Sequence, residues 1–218
     1  MNSQTILTVD AVLLTIVNSE LHIALHKREN APFQGHWALP GGYIHNETDD
    51  TAKAAVARVL REKLNVQSPY LEEFGTFSGP VRDPRGWSLT VVYYALAPTL
   101  SISAQVVLFP VNQLPNLPFD HTYIVNSVVE RVRSKAGYSS LPVHLCPAEF
   151  TIPELHATYE AVLGEKLNIA NFRRKLDDLD VLEPIEGAVR AAGRSRPSQL
   201  YRVAKRFAHT LSTRDRGM

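Results

Sequence analysis

The chain has 218 residues, 44% apolar and 21% charged, with a net charge of +1, the proportions of an ordinary soluble globular protein with room for one large domain or two small ones. No apolar run approaches the roughly 18 residues needed to span a bilayer, and the start, Met1-Asn2-Ser3-Gln4-Thr5, lacks a basic region followed by an apolar one, so no membrane partner and no secretory signal are expected. Cys146 is the single cysteine, which excludes an internal disulfide, fits a cytoplasmic protein, and is expected to be a small buried hydrophobe. Residues 5–17 and 21–27 are apolar, β-prone runs joined by Asn18-Ser19-Glu20, which predicts a hairpin. A loop rich in Pro, Gly and polar residues, 29–36, leads to Trp37-Ala38-Leu39-Pro40-Gly41-Gly42. Ala52, Ala55, Val56, Val59, Leu60 and Leu64 then recur at helical spacing, with Asp49 as a cap and Asn65 as a left-handed terminator. Strands are expected at 70–77, 88–97 and 106–109, and a helix at 121–135 turns Ile124, Val125, Val128, Val129 and Val132 inward. The sum is a mixed sheet with helices packed on it, assigned to residues 1–140. Across 137–147 (Gly137, Ser139, Ser140, Pro142, Pro147) the composition becomes linker-like, which places the domain boundary there.

The second unit, 147–210, opens on Phe150-Thr151-Ile152-Pro153-Glu154. Thr151 with Glu154 three later reads as a capping box, and Pro153 is tolerated in the first turn. The helix stops at Gly164, and a second runs from a cap at Asn168 to about Leu179, with Phe172, Leu176 and Leu179 as its buried stripe. Asn171, Arg173, Arg174 and Lys175 are then expected to project outward near the helix start, where a recognition helix meets base edges and phosphates. Residues 181–185 and 199–203 read as short strands around a loop, 187–198, carrying Arg190, Arg194 and Arg196. Helix, turn, helix and a basic β-hairpin make a winged helix. Charge supports this: residues 187–218 carry eight basic side chains and one acidic, a net of +7, leaving −6 on residues 1–186, the footprint of a nucleic-acid contact.

Two segments of the first unit resemble a known catalytic motif. Gly41-Gly42-Tyr43-Ile44 followed by Arg58-Val59-Leu60-Arg61-Glu62-Lys63-Leu64-Asn65-Val66 resembles the Nudix box, a glycine pair and then G-x5-E-x7-R-E-U-x-E-E-x-G-U (U aliphatic), whose glutamates hold divalent cations against a pyrophosphate. The segment keeps Arg58, Leu60, Glu62 and Val66, but Val59, Lys63 and Asn65 stand where Glu, Glu and Gly belong, and Arg58 falls two residues late. One carboxylate cannot assemble the hard-oxygen array that two-metal phosphoryl chemistry requires. The ammonium of Lys63 would repel a cation yet attract an anionic phosphate. The competing reading of this segment is a plain amphipathic helix. Together with Arg82-Asp83-Pro84-Arg85-Gly86-Trp87, Asn171-Phe172-Arg173-Arg174-Lys175-Leu176 and Gly193-Arg194-Ser195-Arg196-Pro197, the whole chain from about 5 to 205 resembles the Nudix-related transcriptional regulators. These join an N-terminal Nudix domain to a C-terminal winged helix and control NAD biosynthesis and salvage genes, some members sugar utilisation.

The resemblance implies an α/β/α sandwich with a mixed sheet followed by a winged helix-turn-helix, acting as a homodimeric repressor on double-stranded operator DNA. It implies no cofactor and ADP-ribose or a related NAD-derived nucleotide as effector; some family members keep hydrolysis, but the missing carboxylates of this box predict neither catalytic nor metal-binding residues here. Arg28, Glu62, Arg82, Asp83 and Arg85 are the candidate ligand-binding residues, Arg82 and Arg85 being suited to bidentate phosphate contacts. For that pair the alternative is a loop-stabilising ion pair with Asp83, and for Arg28 an exposed strand end. Asn171, Arg173, Arg174, Lys175, Arg190, Arg194 and Arg196 are the candidate DNA contacts. Trp37 is expected to pack rather than stack on a base, and the eight histidines show no metal-ligand spacing. Two other functions remain open from sequence: an active ADP-ribose pyrophosphatase with an accessory second domain, and a Nudix-derived scaffold for protein partners.

Overall fold

Strand β1 (Ile6–Val17) is apolar along its middle because both of its faces are covered. The computed structural model describes residues 5–67, 70–191, 197–208 and 210–213. Successive side chains of a strand point to opposite faces. Val9, Ala11 and Leu13 accordingly pack on α1 (Ala52–Leu64), and Val12 and Leu14 on α2 (His121–Tyr138). β2 (Glu20–Lys27) returns antiparallel through Asn18 and Ser19, at φ 50° and 62°, the two positive φ values that a tight two-residue hairpin needs. β6 (Ser88–Leu96) lies parallel to β1, and β5 (Tyr70–Gly79) runs antiparallel on its outer edge. β7 (Val106–Pro110) pairs with β2. With one helix on each face, the first unit is the mixed-sheet α/β/α sandwich expected from sequence.

Two short strands open the cleft. β6 holds one edge of β1, while β2 pairs with Leu13–Val17 on the other edge and β4 (Gly41–Tyr43) with Thr8–Asp10. β3 (Trp37–Ala38) meanwhile pairs with the far end of β2. Residues 37–43 are thus wedged where β1 and β2 diverge. Trp37 packs edge-on against Phe109 and does not line the cleft.

The second unit is built on α3 (Ile152–Leu163) and α4 (Ile169–Leu179), with a three-stranded sheet of β8 (Phe150–Thr151), β10 (Ser198–Val203) and β9 (Leu182–Arg190). Its core joins Phe150, Leu155, Tyr159, Phe172, Leu176, Leu179 and Val181. The capping box is present: Thr151 Oγ1 accepts from the Glu154 amide at 3.3 Å, and Glu154 Oε2 accepts from the Thr151 amide at 2.7 Å. Gly164 ends α3 at φ 75°.

Four expectations require correction. Thr51, not Asp49, caps α1, accepting from the Ala54 amide at 3.0 Å; Asp49 is bound to Arg58 instead. α2 runs on to Tyr138, past the expected end at 135. β9 reaches Arg190, which is therefore a strand residue rather than a loop residue. The expected linker is a buried joint: a 3₁₀ helix, Leu141–Leu145, places Leu141 and Leu145 in the first core and Val143 in the second. Ser139 and Ser140 are fully buried because their polar atoms are satisfied. Ser139 Oγ donates to Lys135 O at 2.6 Å, and Ser140 Oγ accepts from the Ser212 amide at 3.0 Å. Burial of Leu141, Leu145 and the α3 residue Val162 in the first core stabilises the joint by about 1.5–3 kcal/mol per side chain.

Candidate ligand cleft and nucleic-acid interface

The wedge between β1 and β2 leaves a cleft of about 640 Å³. Its floor explains the glycine pair. A Cβ on Gly41 would lie 2.0 Å from Asp10 Oδ1 and 2.9 Å from Val9 O, and one on Gly42 would lie 3.2 Å from Val59 Cγ2. Gly41 must therefore be glycine for β4 to lie against β1. Asp10 is buried, accepts from Thr90 Oγ1 at 2.8 Å, and lies 3.8 Å from His121 Nε2. The Leu39 amide donates to His121 Nδ1 at 3.1 Å, which puts the ring proton on Nε2, facing Asp10. Burial lowers the His121 pKa, so the ring is neutral near pH 7.

Four cations line this floor: Arg28, Lys63, Arg82 and Arg85. Arg82 is committed. Its Nε and Nη2 donate to the Asp120 carboxylate at 2.9 and 2.8 Å, and Nη1 donates to Ser88 Oγ at 3.1 Å. Arg85 grips Asp83 through Nε and Nη2 at 3.0 and 2.6 Å and donates from Nη1 to the Tyr43 hydroxyl at 2.7 Å. The loop ion pair that competed with a phosphate clamp is thus formed by Arg85, and Arg82 finds its carboxylate on Asp120 instead. Burial opposes ionisation of Asp83, but the Arg85 contacts prevail and its pKa is lowered. Arg28 donates from Nε to Pro32 O at 2.8 Å and from Nη2 to Asn30 O at 3.4 Å, with its guanidinium 4.9 Å from the Phe119 ring. Its Nη1 has no partner among the described residues. Lys63 Nζ donates to Gly41 O at 2.5 Å. Burial, then Arg28, lowers the Lys63 pKa, and burial, then Arg85, lowers that of Arg28. Cations crowded in this way are relieved by an anion placed among them.

Helix α1 presents little to a metal. Glu62 lines the cleft mouth, but Arg58 Nη1 engages it at 3.3 Å while Arg58 Nε and Nη2 hold Asp49 at 2.9 and 2.7 Å. Arg58 also donates to Tyr43 O at 3.0 Å, pinning the loop between β4 and α1. Val59 points into the core beneath Gly42 and is 1% exposed. Among the described residues no group of three or more His, Cys, Asp or Glu is placed to hold a metal ion.

On the second unit, Asn168 caps α4 by accepting from the Ala170 and Asn171 amides at 3.0 and 3.1 Å. Asn171, Arg173 and Arg174 are exposed, Asn171 and Arg174 adjacent at i and i+3 with Arg174 Nη2 donating to Asn171 Oδ1, and Arg173 turned away from Asn171. Lys175 does not join them. It is buried, its Nζ donating to Ala136 O and to Gly137 O at 3.2 Å and lying 4.4 Å from the Tyr159 ring. The spacing 172, 175, 176, 179 carries the reason, because an inward stripe is wide enough to include the position three after Phe172. Arg190 is paired with Glu154, Nη1 meeting both carboxylate oxygens at 2.9 Å, so it braces β9 against α3. Arg202 faces Glu183 at 3.2 Å, and Arg206 faces Asp180. Part of the basic excess read from the sequence is therefore neutralised locally. Arg194 and Arg196 lie outside the described residues. Asp10, Tyr43, Phe119 and His121 are not legible in the sequence as site residues: Asp10 and His121 meet only because α2 packs on β1, and a lone Asp in a strand or Phe in a loop carries no spacing signal.

A Nudix-type sandwich with a cationic cleft, followed by a winged helix, defines the class: a small-molecule-binding domain fused to a helix-turn-helix. Residues 7–125 match the NUDIX domain, and 142–203 match the NrtR DNA-binding winged helix domain. An ADPR responsive transcriptional repressor, NtrR, from Acinetobacter baylyi is 36% identical over 207 residues, covering 91% of this chain and 82% of that protein. The chain belongs to the NrtR family of Nudix-domain transcriptional regulators. Shewanella oneidensis NrtR complexed with a 27mer DNA is similar over 91% of this chain and 93% of that one, at 38% identity and a TM-score of 0.84. The NUDIX domain of the same Shewanella protein, complexed with ADP ribose, matches at 40% identity and a TM-score of 0.54, covering 59% of this chain and 89% of that one.

Proposed function

We propose that this protein is a homodimeric repressor of NAD-metabolism genes, working in the cytoplasm, that binds operator DNA through residues 147–210 and senses ADP-ribose or a related nucleotide in residues 1–140 without hydrolysing it. One juxtaposition carries the reading. The cleft helix sets Lys63, bonded to Gly41 O, where the resemblance calls for a metal-binding carboxylate, and the same chain turns Asn171, Arg173 and Arg174 outward on the second helix of a winged helix. Arg28, Glu62, Arg82, Asp83 and Arg85 remain the assigned ligand set, joined by Lys63. Within it Arg28 and Lys63 make the direct phosphate contacts, because Arg82 and Arg85 are already matched to carboxylates and serve to shape the wall. Base contact falls to Asn171 and Arg174, and phosphate contact to Arg173, Arg194 and Arg196.

The test has three arms. Calorimetry with ADP-ribose should show binding without added metal, and Arg28→Gln and Lys63→Met should weaken it more than Arg82→Lys does. Product analysis with Mg²⁺ or Mn²⁺ should show no turnover; rates of about 1 s⁻¹ or faster, abolished by Glu62→Gln, would instead make the chain a pyrophosphatase. Mobility shifts on the fragment upstream of its own gene complete the test. Equal affinity for random DNA would leave the repressor reading without support.

A further inference from the structure

We propose that Lys175 is the positioning residue by which the recognition helix reads the state of the cleft, with α2 as the rigid connection between them. The inference rests on the regulator reading above. Eighteen residues make α2 a rod of about 27 Å at 1.5 Å per residue. Its first turn belongs to the cleft. His121 lies on the cleft floor against Asp10, and Asp120, its cap, holds Arg82 by two hydrogen bonds. Its middle is locked in the core by Ile124, Val125, Val128 and Val132, all fully buried. Its last turn belongs to the second unit.

That last turn is where the carbonyls of a helix lack intrahelical partners and where its partial negative charge gathers. Lys175, from the middle of α4, supplies the cation: its Nζ donates to Ala136 O and Gly137 O, and the Tyr159 ring covers its other side. Tyr159 adds its hydroxyl to Ser139 O at 2.9 Å. The grip is reciprocal, since Arg133 of α2 donates from Nε to Val162 O, in the last turn of α3, at 3.2 Å. Both helices of the helix-turn-helix are therefore tied, end to end, to the one helix whose start senses the cleft. A buried ammonium released from these carbonyls would have to find other partners or return to water, which makes the contact two-state rather than graded. An axial or rotational shift of α2, set by what its first turn contacts, reaches α4 through Lys175 directly and changes the pose of Asn171 and Arg174.

The experiment measures coupling in the full-length protein. DNA affinity is read by fluorescence anisotropy on the duplex upstream of its own gene, with and without saturating ADP-ribose, for the parent, Lys175→Met, Lys175→Arg and Tyr159→Phe. In the parent the ligand should change DNA affinity at least about fivefold, and DNA should change ADP-ribose affinity by the same factor. Lys175→Met should retain ADP-ribose binding and a cooperative melt while the ratio falls to within about twofold of unity; Lys175→Arg should restore much of it. A Lys175→Met protein that responds as the parent does overturns the proposal. Should that variant not fold, Tyr159→Phe decides, with a reduced ratio expected and an unchanged one overturning it. A parent that binds neither ligand refutes the regulator reading itself, which is a different result from a responsive parent with a responsive variant.

Discussion

At the scale of single residues, Gly41 and Arg58 do the most to hold the cleft open. Gly41→Ala drives a methyl into Asp10 Oδ1 and Val9 O, so β4 must peel from β1. The expected cost is about 1–3 kcal/mol, typical of overpacking, or a fall in melting temperature of roughly 2–4 °C per kcal/mol in a chain of this size. Gly42→Ala, meeting only Val59 Cγ2 at 3.2 Å, should cost less, and equal melting temperatures would refute this account of the pair. Arg58 depresses the Asp49 pKa well below the usual carboxylate range, chiefly by its side-chain hydrogen bond and then with the help of the His45 amide. A carboxylate lowered on folding contributes stability that is complete above its unfolded pKa, about 4, and is lost as pH falls through the folded value. Thermal melts from pH 6 down to pH 3 should therefore decline below about pH 4. Arg58→Gln should flatten that decline; an unchanged acid limb in the variant would assign it to other carboxylates.

At the scale of elements, α4 separates what it shows to DNA from what it gives to the core. Arg174→Ala should cost roughly 1–3 kcal/mol of operator affinity and relax sequence preference, whereas Arg190→Ala, which breaks the brace to Glu154, should leave preference intact. Competition shifts with operator and scrambled duplexes distinguish the two, and an Arg174→Ala protein as selective as the parent would move base reading to other residues. The helices and the hairpin were legible because their periods and caps are local. The sandwich and the winged helix followed from their order. What the sequence did not disclose was tertiary. Residues 137–147 have the composition of a linker, yet serine hydroxyls buried against Lys135 O and the Ser212 amide turn that composition into a joint. The charge of Lys175 suggests the surface while its spacing places it inside, and Asp10 and His121 meet where the start of α2 packs on β1, a contact that no spacing rule reports.

At the scale of the whole molecule, one winged helix covers only a few base pairs, so two protomers should engage a palindrome whose half-sites lie about 34–36 Å apart, one helical turn. Sedimentation of the complex should give two protomers per duplex. Inserting 5 base pairs between half-sites, about half a turn, should abolish tight binding, and indifference to the insertion would argue for independent monomers. The C-terminal clasp on the joint is the last part of the protein to be made. Ser140 donates its amide to Ser212 O at 2.9 Å, Ser212 returns its own amide to Ser140 Oγ, and Ser212 Oγ donates to Leu179 O at 2.6 Å, a closure spanning 72 positions of sequence. A nascent chain elongating at about 5–20 residues per second completes its sandwich, and then both helices of the helix-turn-helix, before the segment that seals them together has left the ribosome. For those seconds the seam is held by the buried 3₁₀ joint and by the Lys175 and Tyr159 contacts alone, without its C-terminal clasp, and a fusion or truncation that keeps Ser212 from reaching Ser140 would hold it in that unclasped form.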